Sequence, residues 1–397
     1  MTSGSCIISE NNFGDVFVMA QRTRILFLLQ VVGHPRDAKR IKMLQDEGFE
    51  VEALAFERKY HKGRMPDCHV TKLGVIEHGN YIARLLKFIK VLPVVRSGIL
   101  RNDFIYASGQ DMAFLGYLAG LWLGKPIAME VGDLTSIQTA SGLKGKVFRM
   151  FDAWLTSRYS LLVVISEGFL NTYYRKWLRV KTIGLVLQNK LEGGPFMSNK
   201  ADLPALHVDD HFASDRALKI GYFGLLRDYW SWQILTTLAA QHPKRFEVVL
   251  AGLPINPANI FELATNFPNV TYLGEYRSPE DLPSLYQQVD MIWACYPEIK
   301  IDDWNLRWGR PNRFYESCFF KKPCFAREGS LFADDVKRYN IGCLIRDIDV
   351  QKVVDQIAAT AHKHFKEWHE SMLKLPQDVY LYTNEGRDLA NEIRKLR

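Results

Sequence analysis

Between residues 24 and 32 the chain reads RILFLLQVV, an apolar run that stops at Gly33, His34 and Pro35. A run of that length without polar alternation is the pattern of a strand buried on both faces, which requires helices above and below its sheet. The stretches FEVEALAF, DFIYAS, PIAMEV, LLVVIS and TIGLVLQ repeat the pattern, each separated from the next by a helix-like segment. Strand and helix in strict alternation predict a parallel, doubly wound α/β sheet. A second series begins at KIGYFG and continues through RFEVVLAG, NVTYLG, VDMIWACY, PCFA and GCLI. Gly, Pro, Ser, Asp and His dominate between the two series. The predicted organisation is therefore a loose extension over 1–23, a first Rossmann-like domain over 24–195, a linker over 196–217, and a second Rossmann-like domain over 218–365. Helices over 366–397 are expected to pack back across the cleft. Ligands in open α/β sheets lie beyond the carboxyl ends of the strands, so both sets of strand-end loops should face that cleft.

The first strand-to-helix turn, VVGHPRD, has one glycine where a dinucleotide fingerprint needs three, which argues against a nicotinamide or flavin enzyme. Six cysteines lie scattered without a CxxC pair. They predict reduced thiols in a cytoplasmic protein, and no metal site is expected. Residues 1–195 carry 26 Lys and Arg against 17 Asp and Glu, whereas residues 196–397 carry 25 against 27. The first half is thus the one suited to an anionic surface. Within it, 81–102 interleaves Arg84, Lys87, Lys90, Arg96 and Arg101 with apolar residues. That pattern fits either a helix in the headgroup layer of an anionic membrane or a packed helix with a solvated basic face. These cations lack the context of a nucleic-acid reader, so nucleic acid is not expected as a partner.

The second half offers a candidate binding site in RWGRPNRFYESCFFKKPCF, residues 307–325. Pro311 and Pro323 bracket a helix on which Arg313 and Glu316 are neighbours. Amides and arginines at the positive end of a helix suit a phosphate, and a carboxylate suits a ribose diol.

KIGYFGLLRDYWSW, FEVVLAG, NVTYLGEYRSPEDLPSLYQQVDMIWACY and RPNRFYESCFFKKPCFA follow one another as in the donor domain of retaining glycosyltransferases of family four. AMEVGDL, VVISEGF and LVLQNK resemble that family's acceptor domain. The resemblance spans roughly residues 24–365 and implies the GT-B fold. It implies a nucleotide-sugar donor, UDP- or GDP-linked, held without a metal or other cofactor. The acceptor it implies is a glycan or lipid-linked glycan in cell-surface polysaccharide synthesis, reached from the cytoplasm by a protein peripheral to the membrane.

Matched position by position, Gly224 is the glycine beside the diphosphate, and Glu316 is the second glutamate of a Glu-x7-Glu motif. Asn312 and Arg313 stand where many members have Asn-Lys. Three departures are clear. Trp308 replaces the first glutamate, Leu225 and Trp230 replace an arginine and a lysine, and Gly132 replaces the arginine of EVRDLWP. Arg227, Arg310 and Arg313 are the candidates for the missing phosphate charge, and Tyr276 for contact with the base. Gly33 closes the first strand on the donor side. His34, Glu130 and Asp133 are the candidate catalytic residues, with a structural role open for each. Asp302 and Asp303 are further candidates for sugar hydroxyls. A non-catalytic subunit on the same fold and a nucleotide-sugar epimerase remain as alternatives.

Overall fold

The computed structural model describes residues 22–57, 65–76, 81–193, 216–297, 299–300 and 303–396, with the side chains of 81–83 excepted. The expected extension through residue 21, the linker through residue 215, and Asp302 lie outside the described residues.

Two parallel sheets form the frame. The first has the order β3-β2-β1-β4-β5-β6-β7. Its strands are β1 (Arg24–Leu29), β2 (Glu50–Glu57), β3 (His69–Val75), β4 (Phe104–Ser108), β5 (Ile127–Val131), β6 (Leu161–Val164) and β7 (Ile183–Val186). The second has the order β10-β9-β8-β11-β12-β13. It comprises β8 (Leu218–Leu226), β9 (Phe246–Pro254), β10 (Val270–Tyr272), β11 (Met291–Trp293), β12 (Cys324–Arg327) and β13 (Gly342–Ile345). Order reverses between β1 and β4 in one sheet and between β8 and β11 in the other. Those reversals place a crevice at the strand ends of each domain.

The apolar runs explain this burial. Along β1, Leu26 and Leu28 enter one core layer while Ile25, Phe27 and Leu29 enter the opposite one. The second domain has the same two layers, with Tyr222 on one side of β8 and Phe223 on the other. β3 has no counterpart in the sequence reading. It is an edge strand whose residues are exposed or half-buried, so its sequence HVTKLGV has no apolar run to betray it.

The predicted end of the second domain also moves. The Val350–Leu373 helix, capped by Asp349, runs unbroken through residue 365. The chain returns to the first domain only afterwards. Leu191 and Leu381 pair as an isolated parallel bridge where the two crossings meet. The Glu385–Lys395 helix then buries Leu389, Ala390 and Ile393 with Ile25, Phe27 and Leu44.

At the carboxyl ends of β8 and β9, Gly224 and Gly252 are register partners. A Cβ on Gly252, whose φ is +121°, would lie 2.0 Å from the Gly224 carbonyl oxygen. Gly252→Ala therefore combines a left-handed backbone with a backbone collision, and should cost about 3 kcal/mol or more. Urea unfolding at neutral pH measures this; a loss below ~1 kcal/mol would show that the two strand ends separate freely.

Candidate active site

The helix foreseen from Pro311 spans Asn312–Phe319, with Pro311 at its N-cap. Glu316 is buried on it and accepts a 2.8 Å hydrogen bond from the Tyr286 hydroxyl. Burial pushes the Glu316 carboxyl up, with Tyr286, Arg313 and Lys39 opposing. Arg313 does not pair with it. Its guanidinium lies 4.9 Å from the Tyr222 ring centroid and 5.9 Å from that of Tyr296. Among the described residues its buried Nη1 has no hydrogen-bond partner. A half-buried cation held between two tyrosines, with one buried nitrogen left unpaired, is a group that a phosphate would complete.

Gly224, at φ +105°, stands in the same pocket. The Tyr276 hydroxyl is 3.9 Å from the place its Cβ would take. Burial and then Glu316 push the Tyr276 phenol up. Arg227 is exposed at the rim, 5.9 Å from the Tyr296 ring centroid.

Across the cleft, Gly33 takes a positive φ of 87° to turn out of β1. His34 caps the Pro35–Asp46 helix through its carbonyl, which accepts from the Asp37 and Ala38 amides. Asp133 follows β5 and is exposed. The surrounding walls push its carboxyl up, against the pull of Arg36 from its own domain and Arg227 from the other.

Three expected site residues are occupied elsewhere. Glu130 is fully buried rather than facing an acceptor. Both its oxygens lie 3.2 Å from Arg40 Nε, Arg36 Nε is 3.4 Å away, and the Tyr106 hydroxyl donates to it. Arg310 spans the domains as an ion pair, 2.6 Å from Asp335 and 3.2 Å from Glu167, so its charge is already matched. Asn312 accepts a 3.0 Å hydrogen bond from Asn189. Asp303, outside any pocket contact, precedes the short Trp304–Trp308 helix as its N-cap.

That short helix accounts for Trp308. Trp304 is buried in the core of the first domain, its ring 4.3 Å from Trp177 and 4.4 Å from Trp308. Trp308 lies on Gly168, where a Cβ would meet its Cγ at 2.1 Å. Asn305 exchanges two hydrogen bonds with the Leu134 backbone, at 2.9 and 2.8 Å. WNLRW is thus a strap from the second domain fastened to the first, next to Asp133.

Arg36, Lys39 and the strap were not singled out from sequence. Arg36 occupies the space above Gly132, 1.5 Å from where a Cβ would be, so a guanidinium returns to the spot left by the missing arginine. Lys39 is half-buried, donates to the Lys190 carbonyl at 2.9 Å and shares the field of Glu316. Burial and then Arg40 bring its amine down to about 7. The sequence signal was the spacing of Arg36, Lys39 and Arg40 on one turn of helix. The unusual density of tryptophan in WNLRW was the signal for the strap.

No protein-family model matches the chain. It is 26% identical over 343 residues to the succinoglycan biosynthesis protein ExoL of Rhizobium meliloti, with 83% of each chain covered. Among solved structures, sucrose-phosphate synthase from Thermosynechococcus elongatus superposes with a TM-score of 0.68 at 14% identity, covering 94% of this chain and 99% of that one. Anabaena HepE in complex with UDP superposes with a TM-score of 0.66 at 16% identity, covering 94% and 100%. These likenesses, with the two parallel-sheet Rossmann-like domains, define the fold as GT-B.

Glu130→Gln should lower stability by about 3–5 kcal/mol by leaving Arg40 buried without a counter-charge. Burial raises the Glu130 carboxyl, but Arg40, Arg36 and the hydrogen bonds take it below its ordinary 4.5. A depressed folded value means that its stabilisation is complete above that pH and disappears as pH falls through the lower value. Unfolding curves between pH 7 and pH 3 should show this acid-side decline in the wild type and a weaker one in Glu130→Gln. Trp308→Ala should cost about 2–4 kcal/mol and enlarge the radius of gyration in small-angle scattering as the domains part. An unchanged scattering curve would remove Trp308 from the seam.

Proposed function

We propose that this chain is a glycosyltransferase of surface-polysaccharide synthesis. It takes a sugar from a UDP- or GDP-linked donor and gives it to a glycan or lipid-linked glycan, with retention of configuration and without a metal ion. The observation that carries the reading is the convergence of a buried carboxylate, Glu316, and a half-buried guanidinium with one unpaired nitrogen, Arg313, with Gly224 and Tyr276. The relation to ExoL and the UDP complex of HepE support it.

In this reading Glu316 accepts from the ribose diol, and Tyr276 lies against the base. Arg313, the Asn312 end of its helix and the Gly224 amide meet the diphosphate, with Arg227 closing from the rim and Gly33 admitting it from the first domain. As the C1–O bond to the β-phosphate breaks, its electron pair stays on the phosphate oxygen, where fixed cations stabilise it. The acceptor hydroxyl forms the new bond to C1 from the same face and releases its proton to that phosphate. Asp133 and His34 orient the acceptor, while Glu130 fixes Arg36 and Arg40 beneath them. The enzyme works from the cytoplasm, peripheral to the inner face of the membrane.

Titrating UDP, GDP and ADP and their sugars tests the site. Glu316→Ala and Arg313→Gln should each weaken the preferred nucleotide roughly 10- to 100-fold, the loss of one charge-assisted contact. Equal affinity of wild type and both variants for every nucleotide would overturn the assignment. Slow release of nucleotide from the donor sugar without acceptor, lost in Glu316→Ala, would separate an enzyme from a binding subunit.

A further inference from the structure

The Leu143–Thr156 helix is turned inside out. Leu143, Val147, Met150, Phe151 and Trp154 follow one another at helical spacing on its outer face, with Leu143 77% and Met150 74% exposed. Its inner face carries Asp152, which is fully buried and accepts from Gln138 at 2.9 Å, Tyr173 at 2.7 Å and Thr156 at 3.0 Å. Three donors on one buried carboxylate fix which side faces the core, so the apolar stripe is held outward rather than exposed by loose packing. The adjoining turn adds Trp122, which is 94% exposed. Arg96 holds that turn in place by donating to the Ala119 and Leu121 carbonyls at 2.9 and 3.2 Å.

Exposed cations rim the stripe: Lys144, Lys146 and Arg158. The only acid on the helix is the buried Asp152. By contrast, three cations of the Tyr81–Arg101 helix turn to the protein. Arg84 pairs with Asp111, Lys87 donates to the Val75 carbonyl, and Arg96 holds the turn.

We propose that this face docks on an anionic lipid bilayer, with the Leu143–Thr156 helix lying in the headgroup plane. Apolar side chains enter the acyl boundary while lysine and arginine meet lipid phosphates, and both halves of the stripe are satisfied at once. A second copy would set like charges against one another, and a purely apolar partner would desolvate the cations. Only the short Ser136–Thr139 helix and a turn separate this helix from Asp133, so the docked face leads toward the acceptor side of the cleft. The inference rests on the transferase reading only for what the bilayer presents, a lipid-linked acceptor.

Sedimentation with phosphatidylcholine vesicles, with and without phosphatidylglycerol, tests the docking face. The full chain should bind the anionic vesicles, more weakly at high salt. The variant L143S/V147S/M150S should bind at least tenfold more weakly, with its unfolding curve and UDP affinity unchanged. K144E/K146E should lose the preference for anionic lipid. Three outcomes would overturn the proposal: no wild-type binding at low salt, full binding by the triple variant, or a wild-type dimer that the triple variant dissolves. Loss of binding in L85S/L86S/I89S with none in L143S/V147S/M150S would also overturn it, in favour of the earlier helix. A chain that binds vesicles but no nucleotide would refute the transferase reading and leave the docking face standing.

Discussion

Arg40 is the interaction on which the arrangement of the two domains depends. Its guanidinium is fully buried and binds three other parts of the chain at once. It meets Glu130 at the end of β5, the Leu187 carbonyl at 2.8 Å beyond β7, and the Tyr382 hydroxyl at 2.9 Å on the C-terminal return. Tyr382 in turn donates to the Gln188 carbonyl at 2.9 Å. The outgoing and returning crossings are therefore tied to one helix of the first domain through one cation. Such a cation is costly to bury unless its geometry is nearly complete, and here every hydrogen-bonding nitrogen is directed at an acceptor. The outcome is a hinge region with little freedom of its own.

The same network determines what is left for chemistry. Glu130 is committed to Arg36 and Arg40, so the carboxylate available in the cleft is Asp133, three residues further on. Arg36, pinned by Glu130 on one side, passes over Gly132 and reaches the field of Asp133, where Arg227 arrives from the opposite domain. A cation from each domain thus faces one exposed acid. Arg227 and Arg313 from one domain and Arg36 and Lys39 from the other bring positive charge to the two carboxylates Asp133 and Glu316. Electrostatics depends on where charge sits in space, and several sequence positions can reach the same point.

This explains what could be read from the chain and what could not. β1 and β8 were legible because continuous apolar runs have no other use than double-sided burial, and the Asn312–Phe319 helix was legible from its two prolines. The i,i+3 spacing of Arg313 and Glu316 on that helix was legible, but not that Arg313 turns to Tyr222 and Tyr296 instead of pairing with Glu316. β3 was hidden because an edge strand need not be apolar. Glu130 stayed open between two roles because a carboxylate at a strand end looks the same whether it points into the cleft or beneath it. Its contacts with Arg36 and Arg40 involve residues ninety or more positions away in sequence. The ion pairs of Arg310 were hidden for the same reason, since Glu167 and Asp335 belong to distant segments.

Trp308 is the departure that the structure turns into a constraint. Its ring is wedged between Trp304 and Gly168, at the one glycine whose lack of a side chain admits it. A glutamate at that position would give up the ring contact with Trp304 and the packing on Gly168 that fasten the strap. The strap and the sugar-contacting glutamate are therefore alternatives at one position. With the strap chosen, position 308 joins the domains instead of reaching into the pocket, and Asn305 extends the same contact to the backbone beside Asp133. In the proposed donor reading, Glu316 and Arg313 serve the nucleotide end, while the sugar end meets a rigid tryptophan in place of a fixed acceptor. Recognition of the sugar then falls to groups of the opposite domain, which the strap keeps within reach.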